Sequence, residues 1–329
     1  DNTPEVIWAF CTKESSNSDL QGKTIPRLST TAYGGLAPTL RQIERFYTKN
    51  GLPLDVDPTY DYVNRYDVAM FPVEENDING EGESLKLNMN REPRFYAWIA
   101  FHNGYYEVSG EDDRKEFSYA PIWKRGKDKK YKQLVQFMKT QNMGITNDNK
   151  YGTKTGYLNK KGAHPGTSAS KSTGFKVIQY PWPMVRLAEL YLNYAEALNE
   201  SDPDNPDILT YLNLIRERAG IPQYGNGQGM IPAPGTQEEM RDIIRRERRV
   251  ELCCETEIRH NDIRRWMIGE KTLNTKFYGM NRQATTTQDF YKRSSYQNRV
   301  FDKKFYWFPI PQGDMDNNPN LVQSPGWDK

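Results

Sequence analysis

The stretch Pro183-Met-Val-Arg-Leu-Ala-Glu-Leu-Tyr-Leu-Asn-Tyr-Ala-Glu-Ala-Leu-Asn-Glu200 decides the architecture. Val185, Ala188, Leu192, Ala195 and Leu198 recur at the 3.6-residue period, flanked by Leu187, Tyr191 and Tyr194, which predicts a helix over residues 183–200. A Pro-rich turn follows at 201–206. Ile208, Leu212 and Ile215 then repeat the period over 204–219, and Gly220 stands at the C-cap. Two helices joined by so tight a turn make an antiparallel hairpin. Small residues at Ala188, Ala195 and Ala219 let the helices approach closely, as in stacked tetratricopeptide-type hairpins, although one hairpin is not a repeat array.

Downstream, Thr236 and Glu239 form a capping box that opens a helix carrying Met240, Ile243, Ile244 and Val250, with Asp242 and Arg246 as a surface pair one turn apart. Its continuation over 255–268 turns Ile258, Ile263 and Trp266 inward. The run Arg245-Arg-Glu-Arg-Arg249 is interleaved with Glu247, Glu251, Glu255, Glu257 and Asp262, so its charges read as internal ion pairs. Upstream, the apolar run 5–10 predicts a buried strand. Leu40, Ile43, Phe46 and Tyr47 predict a helix over 38–50, with Gly51 just past its end. Residues 51–180 show only short elements, at 94–101 and 105–108, and irregular segments of that length tend to carry binding function. The expected fold is mainly α, with tetratricopeptide-like helical hairpins, long irregular loops and a few short strands. Residues 1–180 would be the loop-rich, ligand-facing part and 181–329 the helical part with a C-terminal tail.

Composition narrows the function. Among 329 residues, 45 Lys and Arg balance 43 Asp and Glu, and a net charge of +2 gives little field for drawing in nucleic acid. The longest apolar run, 95–101, is far shorter than the roughly 20 residues a spanning helix needs. Three cysteines, two of them adjacent at 253 and 254, and the scattered His102, His164 and His260 suit neither a disulfide framework nor a zinc site. Glu75-Asn-Asp-Ile-Asn-Gly80, within the oxygen-rich stretch 74–83, imitates the opening of a calcium loop, but Lys86 stands at the twelfth position. An EF-hand is excluded, and an irregular Ca²⁺ site is left open. No nucleophile elbow or phosphate loop is present, and Gly225-Asn-Gly-Gln-Gly229 lacks the context of a dinucleotide site. No cofactor and no catalysis are expected, although pairs of acids abound and a glycosidase needs only two.

Aromatic residues make up 12% of a chain that is only 36% hydrophobic. Rings with a polar tip serve either as core or as exposed stacking platforms, and a surplus in so polar a chain favours the second use. The loop candidates are Tyr33, then Tyr60, Tyr62 and Tyr66, with Asn64 between them; Trp123, Tyr105 and Tyr106 are weaker and suit a packed hairpin equally well. Trp266, Trp307, Phe308 and Trp327 read as packing residues.

The 183–200 stretch, together with Leu214-Ile-Arg-Glu-Arg-Ala-Gly220, Arg246-Glu-Arg-Arg-Val-Glu-Leu252, Asp262-Ile-Arg-Arg-Trp266 and the tail Phe308-Pro-Ile-Pro-Gln-Gly-Asp314, resembles the SusD/RagB family. Arg91-Glu-Pro-Arg-Phe-Tyr96 is similar to a further family segment, with Glu92 in place of Asp. The resemblance implies a non-catalytic protein on the extracellular face of the outer membrane. Such a protein binds oligosaccharides or polysaccharides and passes them to a SusC-like TonB-dependent transporter. For that binding the resemblance implies Tyr33, Tyr60, Tyr62, Tyr66 and Asn64 as ligand contacts, with rings against the C–H faces of sugars. It also implies that the chain corresponds to the C-terminal half of the family fold. The N-terminal half and the lipid anchor, the only membrane attachment, would lie upstream. The alternative is a helical-hairpin scaffold that docks on the transporter, with weak or peptide-directed ligand binding.

Overall fold

The computed structural model describes residues 3–10, 18–29, 31–72, 79–110, 113–117, 130–146, 150–172, 174–255 and 257–328. The first part runs β1 (Val6–Phe10), α1 (Ser18–Thr24), α2 (Leu40–Ile43), β2 (Val68–Met70), β3 (Glu83–Leu85), α3 (Pro93–Trp98), β4 (Ile99–Phe101), β5 (Tyr105–Tyr106), β6 (Asp113–Phe117), β7 (Lys130–Leu134), β8 (Tyr157–Asn159), β9 (Ser168–Ser170), β10 (Gly174–Lys176) and β11 (Trp182–Arg186). The second contains α4 (Leu187–Ser201), α5 (Asp207–Arg218), α6 (Gln237–Glu251), α7 (Ile258–Arg265), α8 (Gly269–Leu273), β12 (Thr275–Met280), α9 (Thr287–Phe290), β13 (Arg293–Arg299) and α10 (Gln312–Asn317). Among the described residues the pairings between these strands are all antiparallel, and no sheet exceeds three strands.

The helical hairpin forms as its periodicity requires. Leu192 and Ala195 of α4 close on Ile208, Leu212 and Ile215 of α5 and on Ile244 of α6, all buried. Helix α4 begins at Leu187 and not at 183, because 182–186 is extended and pairs with β1, from Val6 opposite Arg186 to Phe10 opposite Trp182. Gly220 ends the hairpin at φ +70°, a left-handed conformation that a Cβ would strain. Helix α6 opens with the expected capping box, the Thr236 hydroxyl accepting from the Glu239 amide at 3.2 Å.

Two expectations are corrected. β1 is not buried: Trp8 is 61% exposed, since only a single partner strand flanks it. The helix expected over 38–50 stops at Ile43. Its carbonyls are taken by Arg91, whose Nη2 reaches Ile43 O at 2.7 Å and Phe46 O at 3.0 Å, while the Tyr47 amide donates to Glu92 Oε1 at 2.8 Å. A distant guanidinium thus replaces the i+4 amides that would have continued the helix. The described residues of 51–180 form only short elements, as expected, and the segment is nonetheless part of the packed interior. It contributes much of the larger core, in which Phe95 stacks on Phe101 at 5.6 Å beside buried Ile99, Val135, Phe137 and Leu158.

Candidate functional site

A buried ion network ties the two parts together. Arg94, on α3, donates to Glu92 at 2.7 Å, to Glu247 at 2.6 Å and to Glu251 at 3.0 Å, and all four side chains are buried. Arg216 reaches Glu247 at 3.3 Å, and Arg186 reaches Glu251 at 3.0 Å. Burial alone would raise the Glu251 carboxyl, but the charges of Arg94, Lys161, Arg218 and Arg186 hold it down at about 2. Arg248 and Arg265 both grip Asp262 at 2.8 Å. The ion pairs expected of Glu247, Glu251 and Asp262 are therefore present, and they are structural.

The expectation fails for the rest of that run. No Asp242–Arg246 pair forms, and Arg245, Arg246 and Arg249 have no ion pair among the described residues. They project instead into a cavity of about 1270 Å³ that is also lined by Arg41, Arg45 and Arg259. The cavity's acids are Glu44, Asp55 and Asp242, and Glu44 is already engaged by Arg65 at 3.1 Å and the Tyr66 hydroxyl at 2.9 Å. Arg245 Nε and Arg246 Nη1 are shielded from solvent and have no hydrogen-bond partner. Desolvation, then the like charges of Arg259, Arg45, Arg246 and Arg41, push Arg249 well below the usual guanidinium value. Sequence reasoning missed this cluster, although positions 242, 245, 246 and 249 share one stripe of a helix while 247 and 251 fall on another.

The sequence-derived ligand residues divide by orientation. Tyr60 turns inward, packing on the core with its hydroxyl donating to Lys86 O at 3.2 Å. Tyr66 is half-buried and anchored on Glu44, with Arg65 at 4.8 Å and Arg293 at 4.7 Å from its ring centre. Tyr62, between them, is exposed: it lines the arginine cavity and carries Arg65 against its ring at 4.0 Å. Asn64 caps the turn, its amide nitrogen donating to Asp61 at 3.0 Å. Tyr33 does not line that cavity; it is half-buried, its ring 5.2 Å from that of Tyr151. Tyr105 and Tyr106 are buried in the β5–β7 packing, and Trp123 lies outside the described residues, as does the first half, 74–78, of the oxygen-rich stretch. Phe308 is corrected from packing residue to exposed ring at 69%, with Trp307 exposed beside it. Trp266 is half-buried and lines the cavity, its indole N–H donating to Glu196 at 2.7 Å. Trp327 packs on Phe305, ring centres 5.5 Å apart.

Residues 4–327 match the SusD family, and the chain belongs to it. SusD-like protein P2 of Formosa agariphila is 30% identical over 145 residues, covering 44% of this chain and 25% of that protein. The solved structure of BT4246 superposes with a TM-score of 0.76 at 27% identity, covering 98% of this chain and 50% of that one. A SusD-like carbohydrate binding protein from Bacteroides fragilis gives a TM-score of 0.54 at 26% identity, covering 92% of this chain and 51% of that one. The chain thus spans about half the length of these solved relatives.

Proposed function

We propose that this chain is the glycan-binding part of a non-catalytic cell-surface protein. In this reading it captures oligosaccharides or polysaccharides and hands them to a SusC-like TonB-dependent transporter at the outer membrane. Family membership supports the reading, as does the carbohydrate-binding description of the Bacteroides fragilis relative. The observation that carries it is the 58–67 segment. Tyr60 and Tyr66 pin it to the core, so that Tyr62 stands as an exposed ring on a rigid base beside Asn64 and Asp61. A fixed aromatic face next to amide and carboxylate groups is what pyranose stacking requires. Tyr33, paired with Tyr151, is a second stacking surface in the same reading. No cofactor is needed, and a lipid anchor on chain preceding these residues would hold the protein at the membrane; among the described residues no helix is long and apolar enough to cross one.

The tetratricopeptide-like hairpin belongs to the second reading, a scaffold that docks on the transporter. Leu190, Tyr194 and Leu214 leave an exposed apolar face on α4 and α5, which favours a protein contact there. Calorimetric titration with a panel of neutral and acidic polysaccharides separates the two. Tyr62→Ala or Tyr33→Ala should weaken a bound glycan by about 1–2 kcal/mol, or about 5–30-fold. A chain that binds no glycan on the panel would leave the scaffold reading.

A further inference from the structure

The arginine cavity gathers more positive charge than the acids among the described residues that line it can offset. Its cations come from separate elements: Arg41 from α2, Arg45 from the turn after it, Arg245, Arg246 and Arg249 from one face of α6, and Arg259 from α7. A guanidinium stays protonated in a protein, so Arg245, Arg246, Arg249 and Arg259, all half-buried, together with the exposed Arg41 and Arg45, concentrate positive charge around one space. Two of the donors, Arg245 Nε and Arg246 Nη1, are closed off from solvent and bonded to nothing. Buried donors without acceptors are rare in native proteins, and each calls for a specific reason. Stacking against rings holds the guanidiniums in place: Arg245 lies 4.7 Å from the Trp266 ring centre and Arg259 5.9 Å, while Arg246 lies 5.7 Å from that of Tyr47. The charges around this cavity are therefore preorganised, which lowers the entropic cost of binding.

We propose that the cavity binds a compact anion carrying two or more oxyanion groups, and that the ligand is an acidic oligosaccharide with uronate carboxylates or sulfate esters. Planar guanidiniums meet such groups with paired, charge-assisted hydrogen bonds. A volume of about 1270 Å³ exceeds the usual range for small-molecule sites and suits several sugar rings. The donors converge on the space from α2, the turn after it, α6 and α7, which favours a compact ligand with several anionic groups over an extended acidic polypeptide. Tyr62 and Trp266 line the same space and add aromatic surface. The anion site stands on its own geometry; the saccharide identity rests on the glycan-binding function proposed above.

The test is calorimetric titration of the purified chain with a short oligogalacturonate, a neutral oligosaccharide of equal length and a penta-glutamate peptide, with thermal melts in sulfate and in chloride at matched ionic strength. The oligogalacturonate should bind, with affinity falling as salt rises, and sulfate should raise the melting temperature more than chloride. Arg246→Gln should weaken oligogalacturonate binding at least tenfold while raising the melting temperature of the free chain, because it removes a charge that has no partner. A structural arginine would show the opposite melt. Failure of oligogalacturonate to bind, an unchanged affinity in Arg246→Gln, or tighter binding of penta-glutamate would each overturn the proposal. Binding of the neutral sugar alone would overturn this site and leave the proposed glycan function standing; binding of the acidic sugar alone would keep this site and restrict that function to charged glycans.

Discussion

The two faces of α6 carry similar residues in opposite circumstances. On one, Glu247 and Glu251 are buried against Arg94, Arg216 and Arg186, and Arg248 is buried against Asp262. On the other, Arg245, Arg246 and Arg249 face a cavity with few free acids. The carboxylates of the first face are paired inside the fold, whereas the guanidiniums of the second have no ion pair among the described residues. A charge-dense helix can therefore be structural and receptive at once. The division follows from which residues share a stripe, not from how many charges the helix holds.

That contrast can be broken by experiment, and the largest expected effect lies on the satisfied face. Arg94→Ala would strand Glu92, Glu247 and Glu251 without their common donor and should cost about 3–5 kcal/mol in chemical denaturation. A loss below about 1 kcal/mol would mean that the network is not what joins the two parts. Arg246→Gln, on the receptive face, should shift stability in the other direction.

Acid should act on the larger core and on the satisfied face in turn. Burial lowers His102 from 6.5 to about 4, and its Nδ1 accepts from the Phe137 amide at 3.2 Å, so the folded chain holds it neutral. As pH falls from 6.5 toward 4 the unfolded chain takes up a proton that the folded chain refuses. Stability should therefore be level above neutrality and drop by about 3 kcal/mol across that window. Glu251, held at about 2 instead of 4.5, adds a further loss as pH falls from 4.5 toward 2. His102→Gln should remove the first phase and keep the second, as read from melting temperature against pH.

A smaller effect should come from the α4–α5 face. The hairpin leaves Leu190, Tyr194 and Leu214 exposed, and the β1 ribbon leaves Ile7 and Trp8 exposed. The chain should bind a hydrophobic dye while folded, and Leu190→Glu with Leu214→Glu should reduce that signal without lowering the melt by more than about 0.5 kcal/mol. The smallest stability effect is expected for Tyr62→Ala, within about 0.5 kcal/mol, because its neighbours Tyr60 and Tyr66 do the anchoring. A large loss there would make Tyr62 a packing residue and remove it from the proposed site.

By itself the sequence determined the parts governed by local rules. Periodicity and a glycine in the left-handed region specify α4 and α5, and the Thr236–Glu239 box specifies where α6 begins. It also placed Glu247, Glu251 and Asp262 in ion pairs, since charges of mixed sign at helical spacing rarely stay unpaired. Only the tertiary structure decided the rest. Arg91 ended the helix expected over 38–50 by capturing its carbonyls from 44 to 48 residues away in sequence, an interaction that no local window contains. The alternation of Tyr60 and Tyr66 inward with Tyr62 outward depended on the partners Lys86 and Glu44. The arginine cavity required α2, α6 and α7 to converge, and whether a charge finds a partner depends on distances that chain order does not fix.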